Sequence, residues 1–380
     1  MIYFDSAATT LQKPSSVAKA ASMAMGCMAS PGRGGHRPAM LAADMVFRCR
    51  VAAAELFHVE EPERVVFTFN ATHGLNIAIK TLLAPGDTVL ISGYEHNAVT
   101  RPLRALGVTI RVASSPLFDP ERMLRDFDEK LTGEVSAVIC TYVSNVFGYI
   151  LPVKEIAAMC ARRAVPFILD ASQAAGCLPV HQDELGAAFI AMPGHKGLYG
   201  PQGTGILLCG GNCAKTLIEG GTGSQSLQQE MPPFLPDQLE AGTHNVTGIA
   251  GLLEGIRFVA RTGENTILNH ERMLLRRTSS GLSPLPNVRV WSDPAGIHQA
   301  GVLSFAFLNR DCEEAAEELG KAGFALRAGL HCAPLAHNSV GTLESGTVRA
   351  SFSAFNTKNE VDRFVEFVKS LSYRDGTGKN

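Results

Sequence analysis

Two residues at the ends of neighbouring apolar segments could do chemistry together. Asp170 ends the run VPFILD, where an ionised carboxylate is costly unless a cation or hydrogen-bond donors meet it. Lys196 follows the next apolar run, in the glycine-rich stretch GHKGLYGPQGTG. Taken singly, Asp170 is a common helix-capping residue and Lys196 a surface lysine in a turn. Together they are what pyridoxal phosphate needs: an amine for a Schiff base and a carboxylate that keeps the pyridine nitrogen protonated.

Two further segments fit the same cofactor. The segment FNATHGLN (69–76) is a polar loop that opens a helix, where backbone N–H groups and the helix dipole favour a phosphate. The segment YEHNAV places His96 where an imidazole could stack on the pyridine ring. The glycines around Lys196 do not form a nucleotide phosphate loop, because the pattern GxxxxGK[ST] is missing. Each feature is weak alone, and the set predicts a pyridoxal phosphate site.

Short apolar runs alternate with helical patterns in the first two thirds of the chain. The predicted strands are 64–69, 87–92, 135–143, 165–170, 187–192 and 204–209, and two of the helices are 72–83 and 153–164. This alternation favours a mostly parallel sheet with helices on both faces. Because ligands bind outside the carboxyl ends of parallel strands, we expect Asp170, His96 and Lys196 to lie close together.

The pattern changes after residue 245. Residues 248–282 are predicted to be helical with a break near Gly263, and the segments VRVWSD, GVLSFAF, GTVRASFS and NEVDRFVEFVKSL indicate a smaller α+β unit. We therefore predict a large domain over residues 15–258 and a small domain built from residues 1–14 and 259–380.

Composition narrows the class of protein. With 46% hydrophobic and 18% charged residues, the chain has the balance of an ordinary globular protein. A net charge of −2 leaves no field to hold a nucleic acid or an anionic membrane, so a small-molecule substrate is expected. The start MIYFDSAATT lacks the features of a signal peptide, and no apolar run reaches membrane-spanning length. Nine cysteines without framework or metal-site spacing predict a reduced, cytoplasmic protein with no structural metal.

Several motifs follow one another in a familiar order: YFDSAATT, EHNA, VSNVFG, LDASQAAG, GHKGLYGPQGTGIL, EAGTHNVTG, RAGLHC and VRASFSAFNTKNEVD. Nearly end to end, the chain resembles the cysteine desulfurases and the related selenocysteine lyases, within the class V aminotransferase superfamily of fold type I pyridoxal-phosphate enzymes. The resemblance implies an α/β fold with a mostly parallel seven-stranded sheet in the large domain and a smaller α+β domain. It also implies pyridoxal 5'-phosphate as the cofactor.

The resemblance assigns roles around the cofactor ring. Lys196 is similar to the Schiff-base lysine, Asp170 to the partner of the pyridine nitrogen, and Gln173 to the glutamine that hydrogen-bonds the ring hydroxyl. His96 matches the histidine that stacks on the ring. With the cofactor in place, Lys196 would be the base that removes the Cα proton of the substrate.

The resemblance also assigns a phosphate site. Thr72 and His195, with the main-chain amide of His73, fall at phosphate-binding positions. Family members usually have Glu where this chain has His73, so the role of that side chain stays open. Thr243 of EAGTHN resembles the threonine that reaches the phosphate of the neighbouring subunit, which implies a homodimer with shared sites.

Three residues are assigned to the substrate in the same way. Arg349 of VRAS is similar to the arginine that binds the substrate carboxylate, for which a guanidinium is well suited. Asn145 is expected beside the substrate. The segment GRGGH is similar to a loop that lines the pocket, which nominates His36.

Cys332 of RAGLHCAPLAH is the expected nucleophile. Removal of sulfur needs a thiolate that attacks the substrate sulfur and leaves alanine and an enzyme persulfide. Cys332 lies in a predicted loop upstream of Arg349, and His331 or His337 could favour its thiolate form or carry protons. Packing accounts for three of the other cysteines, which are Cys140, Cys160 and Cys209.

Several alternatives stay open. The motif RAGLHC and the short span from Cys332 to Arg349 resemble the group II branch, although APLAHNSVGTLESGT differs from its best-known loops. The leading expectation is conversion of L-cysteine to L-alanine, but the same residues would serve L-selenocysteine. A class V aminotransferase, a racemase or a C–S lyase without persulfide chemistry is a second enzyme class. A non-catalytic scaffold that binds a sulfur-transfer partner is the third alternative, and an active enzyme would itself need a sulfur-acceptor protein.

Overall fold

The computed structural model describes residues 1–32, 34–211 and 215–374, so Cys213 and Arg33 of GRGGH lie outside the described residues. Within these ranges the chain forms thirteen strands: β1 (Ile2–Tyr3), β2 (Val65–Thr68), β3 (Thr88–Ser92), β4 (Thr109–Ala113), β5 (Val135–Thr141), β6 (Phe167–Asp170), β7 (Phe189–Pro193), β8 (Gly205–Cys209), β9 (Val288–Trp291), β10 (Val302–Phe307), β11 (Phe324–Ala325), β12 (Arg327–Gly329) and β13 (Thr347–Ser351).

Twelve α-helices accompany these strands in the described ranges: α1 (Ser15–Cys27), α2 (Arg37–Leu56), α3 (Ala71–Leu82), α4 (Asn97–Leu106), α5 (Pro120–Lys130), α6 (Val153–Arg162), α7 (Gln182–Leu185), α8 (Val246–Thr262), α9 (Glu264–Leu282), α10 (Cys312–Lys321), α11 (Pro334–Val340) and α12 (Lys358–Arg374). The predicted break near Gly263 is confirmed, since Gly263 has a φ of +85° between α8 and α9.

The main sheet has seven strands in the order β2-β8-β7-β6-β5-β3-β4. Strand β8 is antiparallel to both of its neighbours, and the remaining pairs are parallel. Alternate residues of β5 enter two different apolar cores, Val138 and Cys140 one of them and Ala137 and Ile139 the other. The sheet is therefore buried on both faces, and the predicted mostly parallel α/β fold is confirmed.

The second half of the chain forms a smaller antiparallel sheet in the order β12-β13-β10-β9. Strand β1 pairs with β11, which brings the beginning of the chain to this region. A separate apolar core joins Phe4 to Leu274, Phe305 and Phe364. Residue 258 falls inside α8, and the division into domains at that residue stays a prediction.

Three details differ from the sequence prediction. The edge strand β4 was not predicted, because TIRVA is short and mostly half-exposed. Strand β5 ends at Thr141, two residues before the predicted end. Residues Pro334–Val340 form the short helix α11 instead of a loop. Among the described residues, no helix is long and apolar enough to cross a membrane.

Candidate active site

A polar cavity of about 200 Å³ lies at the carboxyl ends of β5, β6 and β7. Its lining includes eight of the residues that were predicted for the site: Thr72, His96, Asn145, Asp170, Gln173, His195, Lys196 and Arg349. The expected position at the strand ends follows from the parallel sheet, since each of these strands is followed by a polar segment at the same edge.

Asp170 is the last residue of β6, and its side chain is only 2% exposed. Its Oδ1 accepts a hydrogen bond from the amide of Ser172 at 2.9 Å. Strand neighbours on both sides hold the backbone, because Asp170 pairs with Thr141 and with Ala191. A buried carboxylate held in this way calls for a cationic partner from the cavity, and a protonated pyridine nitrogen has the right charge.

Lys196 follows β7 in a turn that depends on glycine. A Cβ at Gly197 would lie 2.3 Å from the carbonyl oxygen of Ala175, so no larger residue fits beside Lys196. Burial lowers the pKa of Lys196 to about 8, although the nearby Asp170 raises it. No hydrogen bond or ion pair to Nζ of Lys196 occurs within the described part of the chain. The amine is thus available as a nucleophile close to neutral pH.

His96 caps helix α4, where its Nδ1 accepts a hydrogen bond from the amide of Ala98 at 3.0 Å. Burial lowers the pKa of His96 to about 4, so the ring is neutral and carries its proton on Nε2. Its neighbour Glu95 is fully buried and accepts from the amide of Thr141 at 2.7 Å. Burial raises the pKa of Glu95 to about 8. No role was predicted for Glu95, although an acid directly before His96 at a strand end was a visible hint.

The first turn of α3 and His195 form a site for an anion. Thr72 lines the cavity, and the first N–H groups of a helix lack partners within it. The amide of His73 donates to Oδ1 of Asn70 at 2.9 Å, and its contact with a phosphate stays a prediction. Nδ1 of His195 is buried and has no hydrogen-bond partner among the described residues, and burial lowers the pKa of this imidazole to about 4. An orphaned nitrogen of this kind suits a phosphate oxygen.

Three predicted residues lie away from this cavity. The His73 ring stacks on Phe69 with the ring centres 4.5 Å apart, and burial lowers its pKa. His73 and Thr243 line a second, smaller cavity. His36 is exposed at the beginning of α2, where Nδ1 is 3.4 Å from the amide of Ala39. None of the three lines the cavity around Lys196 within the described residues.

A buried ion pair holds the segment that carries Thr243. Nη1 and Nη2 of Arg50 each lie 2.9 Å from a carboxylate oxygen of Glu240. The same carboxylate accepts from the amide of Phe67 at 2.6 Å and contacts Nε2 of His244 at 2.5 Å. The position of Thr243 in the second cavity is therefore set by a satisfied, buried network.

Arg349 lies in β13 and is only 1% exposed. Its Nη2 pairs with Oδ1 of Asp5 at 2.7 Å, and its Nη1 donates to the carbonyl oxygen of Asn145 at 3.0 Å. Burial lowers the pKa of the guanidinium, and Asp5 opposes that shift. Asp5 was missed by the sequence analysis, although it stands in the motif YFDSAATT. The pair explains how a cation can stay buried before a carboxylate substrate arrives.

Cys332 is not among the described residues that line this cavity; it lies in the turn between β12 and α11, directly after the lining residue His331. Its side chain is exposed, and Sγ is 3.8 Å from Nη2 of Arg327. Arg327 also lines the cavity, so Cys332 adjoins the cavity through two of its lining residues. The carbonyl oxygen of Cys332 accepts from the amide of Asn97, next to His96, at 2.8 Å. Cys332 is thereby tied to the beginning of α4.

The two histidines beside Cys332 carry no positive charge near neutral pH, and their predicted part in proton transfer stays a prediction. Burial lowers the pKa of His331 to about 2 and that of His337 to about 4, so both rings are neutral near neutral pH. Neither can offer a positive charge to a thiolate. The cation beside the sulfur is Arg327, which the sequence analysis missed. Its place in RAGLHC, and its pairing with Arg349 across β12 and β13, are the features that mark it.

Comparison with known proteins identifies the family. The sequence model of the family described as aminotransferase class V matches residues 2–364. The chain belongs to the class V aminotransferase family. The predicted resemblance is thereby confirmed at the level of the family.

Several relatives carry the name cysteine desulfurase. A probable cysteine desulfurase of Methanothermobacter thermautotrophicus is 31% identical over 98% of this chain and 94% of its own length. Probable cysteine desulfurase 1 of Mycobacterium leprae is 32% identical over 98% of this chain. The chain spans only 62% of that relative and 55% of a related mycobacterial protein.

Solved structures of class V aminotransferases have the same fold. The cysteine desulfurase from Thermococcus onnurineus superposes with a TM-score of 0.88 at 29% identity and covers 98% of this chain and 94% of that one. A cysteine desulfurase from Escherichia coli superposes with a TM-score of 0.86 at 25% identity, with the same coverage. The predicted fold type is confirmed.

Proposed function

We propose that this protein is a pyridoxal phosphate-dependent cysteine desulfurase that converts L-cysteine to L-alanine and keeps the sulfur as a persulfide on Cys332. Relatives and solved structures with that name support the activity at the level of the family. The observation that carries the proposal for this chain is one cavity that joins Asp170, Lys196 and Arg349, with Sγ of Cys332 3.8 Å from the lining residue Arg327.

The cavity fits pyridoxal phosphate on several counts. The partnerless Nδ1 of His195 and the first turn of α3 at Thr72 suit the phosphate, and the buried carboxylate of Asp170 suits the ring nitrogen. Gln173 is fixed by a 2.9 Å hydrogen bond from its Nε2 to the carbonyl oxygen of Ala7, so its amide can meet the ring hydroxyl. When bound, the cofactor withdraws electrons from the Cα of the substrate.

The residues of the chain then divide the work. Arg349 binds the substrate carboxylate, with Asn145 beside it, and the neutral ring of His96 covers the cofactor ring. Lys196 holds the cofactor, and its amine takes the Cα proton and returns it. The Cys332 thiolate bonds to the substrate sulfur while the Cβ–S bond breaks. The electron pair of that bond stays on carbon, which is protonated to give alanine.

We extend the proposal to a homodimer. Thr243 and His36 do not line the cavity of their own chain, which suits residues that serve a neighbouring subunit. Large apolar side chains are exposed on α1, α2 and the segment before α3, and a partner subunit would cover them: Met23, Met25, Met40, Phe47 and Phe69.

Other parts of the proposal concern the setting of the enzyme. We propose a cytoplasmic enzyme of the group II branch that passes its sulfur to an acceptor protein. The division into domains at residue 258 and the preference for L-cysteine over L-selenocysteine belong to the same proposal. The short connection from Cys332 through α11 to Arg349 supports the group II assignment.

The test is alanine and sulfide production from L-cysteine and from L-selenocysteine by the wild type and by Cys332→Ala. The expected result is loss of alanine production from L-cysteine in Cys332→Ala, because the exposed thiol of Cys332 lies next to the cavity residue Arg327 and is the proposed sulfur acceptor. The matched control is Cys27→Ala, since Cys27 is also exposed. Unchanged alanine production in Cys332→Ala would remove the Cys332 persulfide from the mechanism.

A further inference from the structure

A pair of buried imidazoles lies behind the turn that carries Cys332. The side chain of His337, on α11, is 0% exposed, and that of His331 is 3% exposed. Their rings stack with centres 5.8 Å apart and planes inclined by 29°. Phe147 covers His337 with its ring centre 5.7 Å away. The pair belongs to no role assigned above, although His331 is the residue directly before the nucleophile.

The turn itself has an unusual backbone. His331 and Cys332 have φ values of +49° and +57°, a region that residues other than glycine rarely adopt. Two such residues in succession persist only where their surroundings hold them. The carbonyl oxygen of His331 accepts from Nδ2 of Asn145 at 2.8 Å, and that of Cys332 accepts from the amide of Asn97 at 2.8 Å. These bonds hold one side of the turn.

The His331 side chain holds the other side. Its Nε2 lies 3.1 Å from the carbonyl oxygen of Thr347, so this nitrogen must carry the proton of the neutral ring. Oγ1 of Thr347 lies 3.2 Å from Oγ of Ser304, whose hydroxyl donates to the carbonyl oxygen of Val146 at 2.7 Å. The chain of contacts thus returns to the residue next to Asn145. The turn is therefore held on one side by Asn145 and Asn97 and on the other side by Thr347.

His337 completes this support. Its Nδ1 lies 2.8 Å from Oγ1 of Thr342, which fixes the orientation of the ring. Among the described residues, neither Nε2 of His337 nor Nδ1 of His331 has a hydrogen-bond partner. The support that His337 gives to His331 is therefore the stacked contact between the two rings, held in place by Thr342.

We propose that His337 is a positioning residue for Cys332: acting through His331, it holds the left-handed turn that places Sγ beside Arg327. This inference rests on the proposed function, in which Cys332 is the nucleophile. Since burial keeps both rings neutral, their contribution is geometric, and the positive charge comes from Arg327 alone. His337 is not among the described residues that line the cavity, so binding of the cofactor should not depend on it.

The experiment uses the holoenzyme and four variants. His337→Phe keeps a ring but removes both nitrogens, and His337→Gln restores a hydrogen-bonding group. Thr342→Val removes only the hydroxyl partner of His337. The matched control is Thr278→Val, because Thr278 is equally buried and its hydroxyl bonds only to the carbonyl oxygen of Leu274 within α9. For each variant we would measure kcat and KM for alanine formation, the visible absorbance of the cofactor, and the alkylation rate of Cys332 by iodoacetamide at fixed neutral pH.

We expect His337→Phe to lower kcat by about 100-fold, the effect of displacing a reacting group by about 1 Å. KM should stay within about twofold, since Arg349 and the cofactor residues are untouched. Alkylation of Cys332 should slow severalfold, because the turn that presents Sγ beside Arg327 is no longer held. His337→Gln should recover part of both losses. Thr342→Val should cost about fivefold in kcat, as for one neutral hydrogen bond.

Two results would overturn the inference. One is a His337→Phe enzyme that melts at a lower temperature but keeps the wild-type kcat and alkylation rate, which is the behaviour of a purely structural residue. The other is a rise in KM with kcat unchanged. If His337→Phe does not fold, Thr342→Val decides the question against Thr278→Val. Full activity of Cys332→Ala would overturn the proposed function and this inference together. If Cys332→Ala is inactive but Thr342→Val and His337→Phe keep the wild-type activity, only the inference is overturned.

Discussion

The proposed cofactor residues and the proposed nucleophile are positioned by different means. Asp170 ends one strand of the seven-stranded sheet, and His96 and Lys196 follow two others, so the hydrogen bonds between the strands fix where these residues lie. Cys332 follows the three-residue strand β12, and side chains such as Asn145 and His331 hold its turn. We call Asp170, His96, Lys196 and the strand ends that carry them the cofactor framework. We expect single side-chain changes to be tolerated better around this framework than around Cys332, except at the reacting groups themselves.

The largest effect is expected for a change in the cofactor framework. Lys196→Ala should lose the visible absorbance of bound pyridoxal phosphate and reduce alanine formation by about 10⁴-fold, because it removes both the covalent attachment and the base. Absorbance spectra and alanine assays check this. Lys154→Ala is the control, since Lys154 is an exposed lysine on α6. A Lys196→Ala enzyme that keeps both properties would show that the amine of Lys196 is not the reacting group.

The next effect belongs to the sulfur side. Arg327→Ala should lower kcat by about 30-fold, because the hydrogen bond of a charged group to a thiolate is worth about 2 kcal/mol. The visible absorbance of the cofactor should be unchanged, since Arg327 lies in β12 of the smaller sheet and its guanidinium contacts the sulfur. Steady-state kinetics measure the loss of kcat, and absorbance spectra show whether the cofactor stays bound. Arg125→Ala, on an exposed part of α5, is the control. A loss of cofactor in Arg327→Ala alone would break the division between the regions.

The same contrast explains what could be predicted from the sequence. Apolar runs end at Asp170 and before Lys196, so the rule for parallel strands was enough to bring these residues together. Arg327, Asp5 and Glu95 were not assigned, because their roles depend on contacts between distant segments, such as the pair of Asp5 with Arg349. Their motifs can be seen in the sequence, but the spacing of these residues along the chain does not show which of them meet in the folded protein.

The histidines at 331 and 337 show a second limit of the sequence. Beside a cysteine in sequence, a histidine suggests a charge or a proton carrier. Burial of both rings changes that role, because desolvation disfavours the imidazolium form. No local pattern in RAGLHCAPLAH shows that His337 turns inward on a short helix. Core packing around Phe147 decides it.

The smallest expected effect is a pH dependence that links the two regions. Burial lowers the pKa of Lys196 to about 8, and it is further lowered by Arg349 and Arg327 and raised by Asp170. A lysine with a lowered pKa is protonated below that pH, so covalent uptake of pyridoxal phosphate by the apoenzyme should slow by about tenfold for each pH unit below 8 and level off above it. Stopped-flow absorbance measures this rate.

Variants on the two sides should move that midpoint in opposite directions. Asp170→Asn removes a negative charge that favours the ammonium form, so the midpoint should fall. Arg327→Ala removes a positive charge that disfavours it, so the midpoint should rise, by a smaller amount because Arg327 is the weaker influence. An unmoved midpoint in Arg327→Ala would mean that the sulfur side and the cofactor framework are electrostatically independent. A rise would show that the cation placed for the sulfur of Cys332 also keeps the amine of Lys196 reactive.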